Sequence, residues 1–127
     1  MKIVVAALIK KNNKILLAQR RKDDAFALMW EFPGGAKEKN ETIKEAIKRE
    51  IKEELNVSVE PQKIVDKFPD NDILVYLILC KIKNGRFIKK ECNDFGFFSY
   101  KEAKRLNLAP VDRKIFNYIL KNEGEIA

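Results

Sequence analysis

Two strongly apolar runs limit what this chain can fold into. They read IVVAALI at 3–9 and ILVYLILC at 73–80, and neither can stay solvated, so the chain needs a hydrophobic core. The longer run has only eight residues, whereas a membrane-spanning helix needs about 20. With 127 residues, 46% of them apolar, the chain can build one good core, and we expect a single domain over 1–127.

The order of local signals predicts a mixture of strands and helices. Strands are expected at 2–10, 14–20, 57–67, 72–83, 86–90 and 95–99. Helices are expected at 42–55, 100–106 and 110–121. Asn12-Asn13 and Asn84-Gly85 are typical of hairpin turns, Pro61 interrupts the third strand, and Pro33-Gly34-Gly35 is expected to be irregular. We therefore predict an α/β or α+β sandwich that contains a mixed sheet.

The composition excludes several kinds of chemistry. The chain has no histidine and two cysteines, Cys80 and Cys92, without a CxxC spacing. Histidine-type zinc catalysis, Ser-His-Asp triads and Cys-His pairs are therefore excluded, which leaves carboxylates, lysines, tyrosines or hard metals. The net charge of +7 favours an anionic partner, nucleic acid or a phosphorylated small molecule, although solubility explains it equally well. Since we find neither a spanning segment nor a secretory signal, we expect a cytoplasmic protein without a membrane partner.

The segment 42–55 carries the clearest helix signals. Thr42 is a good N-cap and Glu45 follows three residues later, which makes a capping box. An apolar stripe along this helix is formed by Ile43, Ile47, Ile51 and Leu55. Beside the stripe, the spacing i, i+3, i+4 stacks three carboxylates, those of Glu50, Glu53 and Glu54.

These three carboxylates are unfavourable for the helix by itself. They repel one another by a few tenths of a kcal/mol per pair, and they lie in the last turns, where the helix dipole disfavours negative charge. A divalent cation such as Mg²⁺ or Mn²⁺ would remove both costs. A solvated helix laced with Lys–Glu pairs explains the pattern equally well. The nearby Gly34-Gly35 could offer a backbone carbonyl to a cation, or simply form a tight turn.

The stretch from Gly35 to Val57, GAKEKNETIKEAIKREIKEELNV, resembles the Nudix box. Eight of its positions are in register with that pattern: Gly35, Glu41, Arg49, Glu50, Ile51, Glu53, Glu54 and Val57. Outside the box, WEFPGG (30–35), Gln19-Arg20-Arg21 and LAPVDRKIF (108–116) are loosely similar to the MutT-like branch of the Nudix family.

The resemblance implies a Nudix fold, which is an α/β/α sandwich around a mixed sheet. It also implies Mg²⁺-dependent hydrolysis of a nucleoside diphosphate linked to another group, with Mn²⁺ as an alternative metal. The implied metal ligands are the Gly34 carbonyl, Glu50, Glu53 and Glu54. The implied catalytic residues are Glu50 as general base, Glu53, and Arg49, which orients the glutamates, with Glu41 as their support. The implied substrate-binding residues are Arg20, Phe32 and Asp112.

Two positions depart from the family pattern. Asn56 stands where the box has glycine, but asparagine tolerates the left-handed conformation expected just past a helix end. Gly96 stands where some MutT-like members have a further glutamate. Asp94 or Glu91 could replace that glutamate, or the role could be absent, so the general base stays open.

The MutT-like branch implies a nucleoside triphosphate as substrate and a monophosphate and pyrophosphate as products. An oxidised purine such as 8-oxo-dGTP, in nucleotide-pool housecleaning, and a pyrimidine such as CTP both remain open. The alternatives are another nucleoside diphosphate-X substrate and a non-catalytic module that binds nucleotide or RNA. Because the aromatic residues at 95–98 alternate as in a half-buried strand, we do not expect nucleic acid as a partner. The number of metals and the oligomeric state stay open.

Overall fold

The structure, a computed structural model, describes residues 1–126. Its elements in chain order are β1 (Lys2–Lys11), β2 (Lys14–Gln19), β3 (Trp30–Glu31), β4 (Gly34–Ala36), α1 (Ile43–Leu55), β5 (Val57–Asp70), β6 (Ile73–Gly85), β7 (Asp94–Ser99), α2 (Tyr100–Lys104), α3 (Pro110–Lys121) and α4 (Glu123–Ile126). The strands pair in the order β3-β2-β1-β6-β5, while β4 also pairs with β1 and β7 with β2. Since β1 and β6 run parallel and the other pairs antiparallel, the sheet is mixed, as predicted.

The alternation of side chains along β1 divides the core into two layers. Val5, Ala7 and Ile9 pack on one face with Ile47, Ile51 and Leu55 of α1. Ala6 and Leu8 pack on the other face with Ala103 of α2 and with Ile115, Phe116 and Ile119 of α3. Helices therefore cover both faces of the sheet, which confirms the α/β/α sandwich.

Local signals in the sequence account for several boundaries. Asn12 and Asn13 both have positive φ, 51° and 61°, in the turn between β1 and β2, as a type I′ hairpin turn requires. Thr42 caps α1, and Thr42 and Glu45 make both hydrogen bonds of the capping box. In the part of the chain that the structure describes, no helix is long and apolar enough to cross a membrane.

The hairpin predicted at Asn84-Gly85 is wrong, and so is the strand at 86–90. Both residues belong to β6, where they pair with Ser58 and Val57, and residues 86–93 form no strand. The turn lies instead at 71–72, where Asn71 has a φ of 52°. Gly85, with a φ of +110°, still uses the freedom of glycine, because a Cβ there would lie 3.0 Å from the Asn56 carbonyl oxygen.

The segment Pro33-Gly34-Gly35 is also more regular than predicted, since Gly34 and Gly35 lie in β4 and pair with β1. A Cβ on Gly34 would lie 1.9 Å from the backbone oxygen of Val5, so only glycine allows this approach. Pro61 does not end its strand, because β5 continues to Asp70 as the last strand of the sheet, with register shifts on both sides of Lys63.

Candidate active site

Arg49 gathers the carboxylates of α1 and of the loop before it. Its Nε and Nη2 donate hydrogen bonds to the two oxygens of Glu41 at 2.8 and 2.6 Å. Its Nη1 donates to Glu50 at 3.0 Å and to Glu53 at 2.8 Å, and Nη2 reaches the Ala36 carbonyl at 3.0 Å. A planar guanidinium can make all these bonds at once, whereas a lysine could not. The structure thus brings together Arg49 with the predicted Glu41, Glu50 and Glu53.

The Glu41 carboxylate holds Arg49 in this orientation. Hydrogen bonds from Arg49, and next one from the backbone N–H of Glu38, lower the pKa of Glu41 to about 2. Glu41 is therefore ionised across the physiological pH range. It lies in the loop that enters α1, whereas Glu50 and Glu53 lie on the helix, so Arg49 links the loop to the helix.

Glu50 lies at the contact between α1 and β4. A Cβ on Gly35 would lie only 2.4 Å from Glu50 Oε2, so the absence of a side chain at this position makes room for the carboxylate. Burial raises the pKa of Glu50, Arg49 opposes the shift, and the charges of Glu53 and Glu91 add to it. Glu50 is thus a partly buried carboxylate among other acids.

Glu54 is the most deeply buried of the three helix glutamates. It is 8% exposed, and its Oε1 has no hydrogen-bond partner within residues 1–126. Burial, followed by the charges of Glu31, Glu50 and Glu91, raises its pKa to about 9. A buried, unpartnered carboxylate is costly unless a proton or a cation compensates it.

The donor set at this position fits a hard divalent cation. Carboxylate and backbone carbonyl oxygens are the ligands that Mg²⁺ and Mn²⁺ prefer, and Glu54 Oε1 is a buried oxygen that still needs a partner. Across residues 1–126, no three acidic or cysteine side chains already surround one ion position. Instead, one carboxylate oxygen of Glu50 and one of Glu53 each accept a hydrogen bond from Arg49.

A cavity of about 360 Å³ adjoins these carboxylates. Its lining includes the three predicted substrate-binding residues and the predicted carbonyl ligand, namely Arg20, Phe32, Asp112 and Gly34. These residues come from four separate places: the position just after β2, the segment after β3, the first turn of α3 and β4. Gly35 also lines the cavity and touches Glu50, so the cavity and the carboxylates are neighbours.

Asp112 is buried at the start of α3, where Pro110 supplies the first helical residue. Its Oδ1 accepts a hydrogen bond from the backbone N–H of Phe32 at 2.9 Å. Burial, and next the charge of Glu31, raises the pKa of Asp112 to about 8. Burial therefore favours the protonated form of this carboxyl group, and a protonated carboxyl group can donate a hydrogen bond as well as accept one.

Glu31 is a site residue that the sequence reasoning missed. Its Oε1 accepts a hydrogen bond from Arg20 at 2.8 Å, and only 20% of its side chain is exposed. Burial raises its pKa while Arg20 lowers it. Its charge raises the pKa of both Glu54 and Asp112. Glu31 therefore links the carboxylates of α1 electrostatically to the cavity. The available signal was a charged residue between Trp30 and Phe32.

The two departures from the family pattern are accommodated differently. Asn56 has a φ of 67° and caps α1 in the left-handed conformation, as predicted. Gly96 pairs with Leu17 inside the sheet, and a Cβ there would already touch the Phe98 ring at 3.4 Å.

Known proteins are similar to this chain in sequence and in fold. The NUDIX domain matches residues 1–119. An 8-oxo-dGTP diphosphatase of Proteus vulgaris is 34% identical over 93 residues, which cover 69% of this chain and 83% of that protein. A CTP pyrophosphohydrolase of Escherichia coli K12 is 48% identical over 54 residues, or 42% of this chain and 40% of that protein.

Among solved structures, that of the E. coli ORF135 protein has a TM-score of 0.79 at 30% identity and covers 97% of this chain and 91% of that one. Together with the α/β/α sandwich and the arginine-linked glutamates of α1, these matches establish that the chain belongs to the Nudix hydrolase family.

Proposed function

We propose that this protein, as one Nudix domain over residues 1–127, hydrolyses a nucleoside triphosphate to the monophosphate and pyrophosphate with Mg²⁺. The substrate is an oxidised purine nucleotide such as 8-oxo-dGTP, in nucleotide-pool housecleaning, or a pyrimidine nucleotide such as CTP. The names of the two curated relatives support both substrates. The net charge of +7 is consistent with an anionic substrate.

Glu54 carries this proposal. A carboxylate that is 8% exposed and has an unpartnered oxygen would destabilise the helix unless a cation or a proton compensates it. In the proposed enzyme Glu50, Glu53, Glu54 and the Gly34 carbonyl would hold the cation, and Mn²⁺ could replace Mg²⁺. Bound there, it would supply charge neutralisation for the polyphosphate and a more acidic water.

The chain's own residues then have separate tasks. Glu50 accepts the proton of the attacking water, and Arg49 holds Glu50 and Glu53 in place through its hydrogen bonds. Arg20 reaches the nucleotide from the cavity wall, where Glu31 fixes its guanidinium. The buried ring of Phe32 and the carboxyl group of Asp112 bind the base.

The proposal is tested by measuring pyrophosphate and phosphate release with Mg²⁺ or Mn²⁺ across a panel of nucleotides. The panel contains normal and oxidised (d)NTPs, ADP-ribose, NADH and a dinucleoside polyphosphate. We expect metal-dependent pyrophosphate release from one triphosphate. Turnover of ADP-ribose or NADH alone would show that the substrate is another nucleoside diphosphate-X compound and not a nucleoside triphosphate. A folded protein that binds nucleotide or RNA and turns over nothing would be a non-catalytic module.

Glu53→Gln is the first variant to compare in this assay. It keeps the size of the side chain but removes the charge, so kcat should fall by orders of magnitude while the thermal unfolding profile stays near that of the wild type. Glu45→Gln is the matched control, since it lies on the same helix and its amide can still accept the capping bond from Thr42. Near-normal activity of Glu53→Gln would show that Glu53 is not a metal ligand.

A further inference from the structure

The loop 20–29, which joins β2 to β3, carries two exposed apolar side chains on strained backbone. Phe26 is 55% exposed and Leu28 is 41% exposed. Both have positive φ, 54° and 62°, in a region that bulky residues rarely occupy. Backbone strain of this kind persists only where the surrounding structure imposes it, and it is concentrated at sites that bind ligands. The loop therefore combines two features that are unfavourable for the protein by itself.

Hydrogen bonds with the end of β2 hold this loop in place. The backbone N–H of Arg20 donates to the Met29 carbonyl at 2.8 Å, and that of Leu28 donates to the Arg20 carbonyl at 3.2 Å. The side chains of β2 and of the loop add to these bonds. Gln19 Nε2 donates to the Leu28 carbonyl at 3.0 Å, and Arg20 Nε donates to the Ala25 carbonyl at 2.6 Å. The strained conformation is thus imposed by bonds at both ends of the loop.

The two strained side chains differ in their relation to the cavity. Within the described residues 1–126, Phe26 and its neighbour Ala25 line the cavity of about 360 Å³, and Leu28 does not. The backbone N–H of Met29 donates to the Phe26 carbonyl at 3.1 Å, which fixes the turn at this position. Since Phe26 lines the cavity and is also more than half exposed, it lies at the cavity rim.

Phe26 supplies the exposed aromatic ring of this cavity. The other aromatic residue of the lining, Phe32, is only 3% exposed, and its ring packs in the core. Aliphatic side chains of β1 and β6 form part of the remaining wall: Val4, Ala6 and Val75. A nucleobase has a flat π-face that stacks on a phenyl ring, whatever the hydrogen-bonding pattern of its edge. The ring of Phe26 is therefore suited to the face of a base.

Arg20 connects the position of Phe26 to the polar side of the cavity. Its Nη1 donates to Glu31 at 2.8 Å, while its Nε donates to the carbonyl of Ala25, the residue directly before Phe26. Arg20, Glu31 and Phe26 all line the cavity. A base whose edge meets the polar groups can therefore present its face to the ring of Phe26.

We propose that Phe26 is a base-stacking residue, which binds the face of the nucleobase at the rim of the cavity while the polar groups bind its edge. The inference rests on the proposed function, because it needs a nucleotide in the cavity. A purine has two fused rings and a pyrimidine has one, so the stacked area and the gain in affinity are larger for a purine. Of the two substrates proposed above, Phe26 favours the oxidised purine.

The test is nucleotide binding to the full chain with Mg²⁺, measured by isothermal titration calorimetry. The probes are the α,β-methylene analogues of 8-oxo-dGTP and CTP, which resist cleavage between the α- and β-phosphates, and inorganic triphosphate, which has no base. We expect Phe26→Ala to weaken binding of the purine analogue about thirtyfold and that of the pyrimidine analogue about fivefold, as the loss of an aromatic partner of a base does. The affinity for inorganic triphosphate should not change.

Two further variants control for the loop and for the ring. Leu28→Ala removes an exposed apolar side chain from the same loop at a similar backbone conformation, and it should leave all three affinities unchanged. Phe26→Tyr keeps the aromatic ring and should keep most of the affinity for both nucleotides. Circular dichroism checks that each variant is folded.

The outcomes separate this inference from the proposed function. If the wild type and Phe26→Ala bind both nucleotides equally, Phe26 does not stack on the base, while the proposed function stands. If Leu28→Ala weakens nucleotide binding as much, or if Phe26→Ala also weakens binding of inorganic triphosphate, the effect belongs to the loop as a whole and the assignment of Phe26 is overturned. Equal losses for the two nucleotides would overturn the preference for a purine. If the wild type binds neither nucleotide, the proposed function and the role of Phe26 both fail.

Discussion

At the scale of a single residue, burial changes the pKa of Asp112. Its carboxyl group is 6% exposed, and its pKa rises to about 8, first because of burial and then because of Glu31. In an unfolded chain an aspartate ionises near pH 4. The folded protein therefore keeps a proton that the unfolded chain releases, and the stabilisation from this group is lost progressively as the pH rises from about 4 to about 8.

Asp112→Asn tests this titration. Asparagine cannot ionise, but its amide oxygen can still accept the backbone hydrogen bond of Phe32. The unfolding free energy of the wild type, relative to that of Asp112→Asn, should fall by on the order of 1 kcal/mol per pH unit between about pH 5 and pH 8. Urea unfolding of both proteins across this range measures the difference. A constant difference would mean that Asp112 is already ionised in the folded protein.

At the scale of the element, the end of α1 depends on Asn56. Its backbone N–H donates to the Lys52 carbonyl at 3.0 Å, and its side chain donates to the Arg86 carbonyl at 3.0 Å. The left-handed conformation costs roughly 1–2 kcal/mol for an ordinary residue and little for glycine. Asn56 thus adopts a strained backbone conformation, and its side chain makes a hydrogen bond to Arg86, the first residue after β6.

We expect effects of different size on stability from two substitutions at this position. Asn56→Ala keeps the strain and loses the side-chain hydrogen bond, so it should destabilise the protein by about 1 kcal/mol or more. Asn56→Gly loses the same bond but relieves the strain, so its stability should stay within roughly 0.5 kcal/mol of the wild type. Denaturant unfolding of the three proteins compares them. Equal destabilisation by both substitutions would show that the hydrogen bond alone matters.

The same element shows what the sequence could predict. The capping box and the apolar stripe of α1 are local signals, and the helix begins and ends where they indicate. The turn signal at Asn84-Gly85 is also local, but pairing with the start of β5 overrides it. Nothing near Gly34 in the sequence reveals that the backbone of Val5 lies against it. Contacts between strands that are distant in the sequence decide the conformation at such positions. Local sequence patterns carry no information about those contacts.

For the molecule as a whole, the candidate site joins two regions that the sequence separates. The carboxylates of α1 were predictable because residues at i, i+3 and i+4 share one helix face. Arg20, Phe32 and Asp112 came only from the family resemblance, and the structure brings all three to one cavity. Glu31 was missed because its role depends on partners that only the fold supplies, among them Asp112, which lies 81 positions away.

If cation and nucleotide bind this joined site together, they should stabilise the whole fold. A ligand at about 100 times its Kd adds about 2.7 kcal/mol to the unfolding free energy, which corresponds to a Tm increase of roughly 10 °C for a domain of this size. We expect such an increase with Mg²⁺ and a non-hydrolysable nucleoside triphosphate analogue, measured by differential scanning fluorimetry. Adding EDTA should remove most of it. An equal increase in EDTA would separate nucleotide binding from the metal.

The last strand of the sheet has a consequence for how copies of this protein meet. An open strand edge exposes rows of N–H and C=O groups that can template pairing with another chain. Such pairing is a common first step of protein aggregation. Here Pro61 removes one donor from β5, and the register shifts around Lys63 disturb the spacing of the others. These irregularities make the long outer strand a poor template, and so they protect the protein from edge-to-edge aggregation.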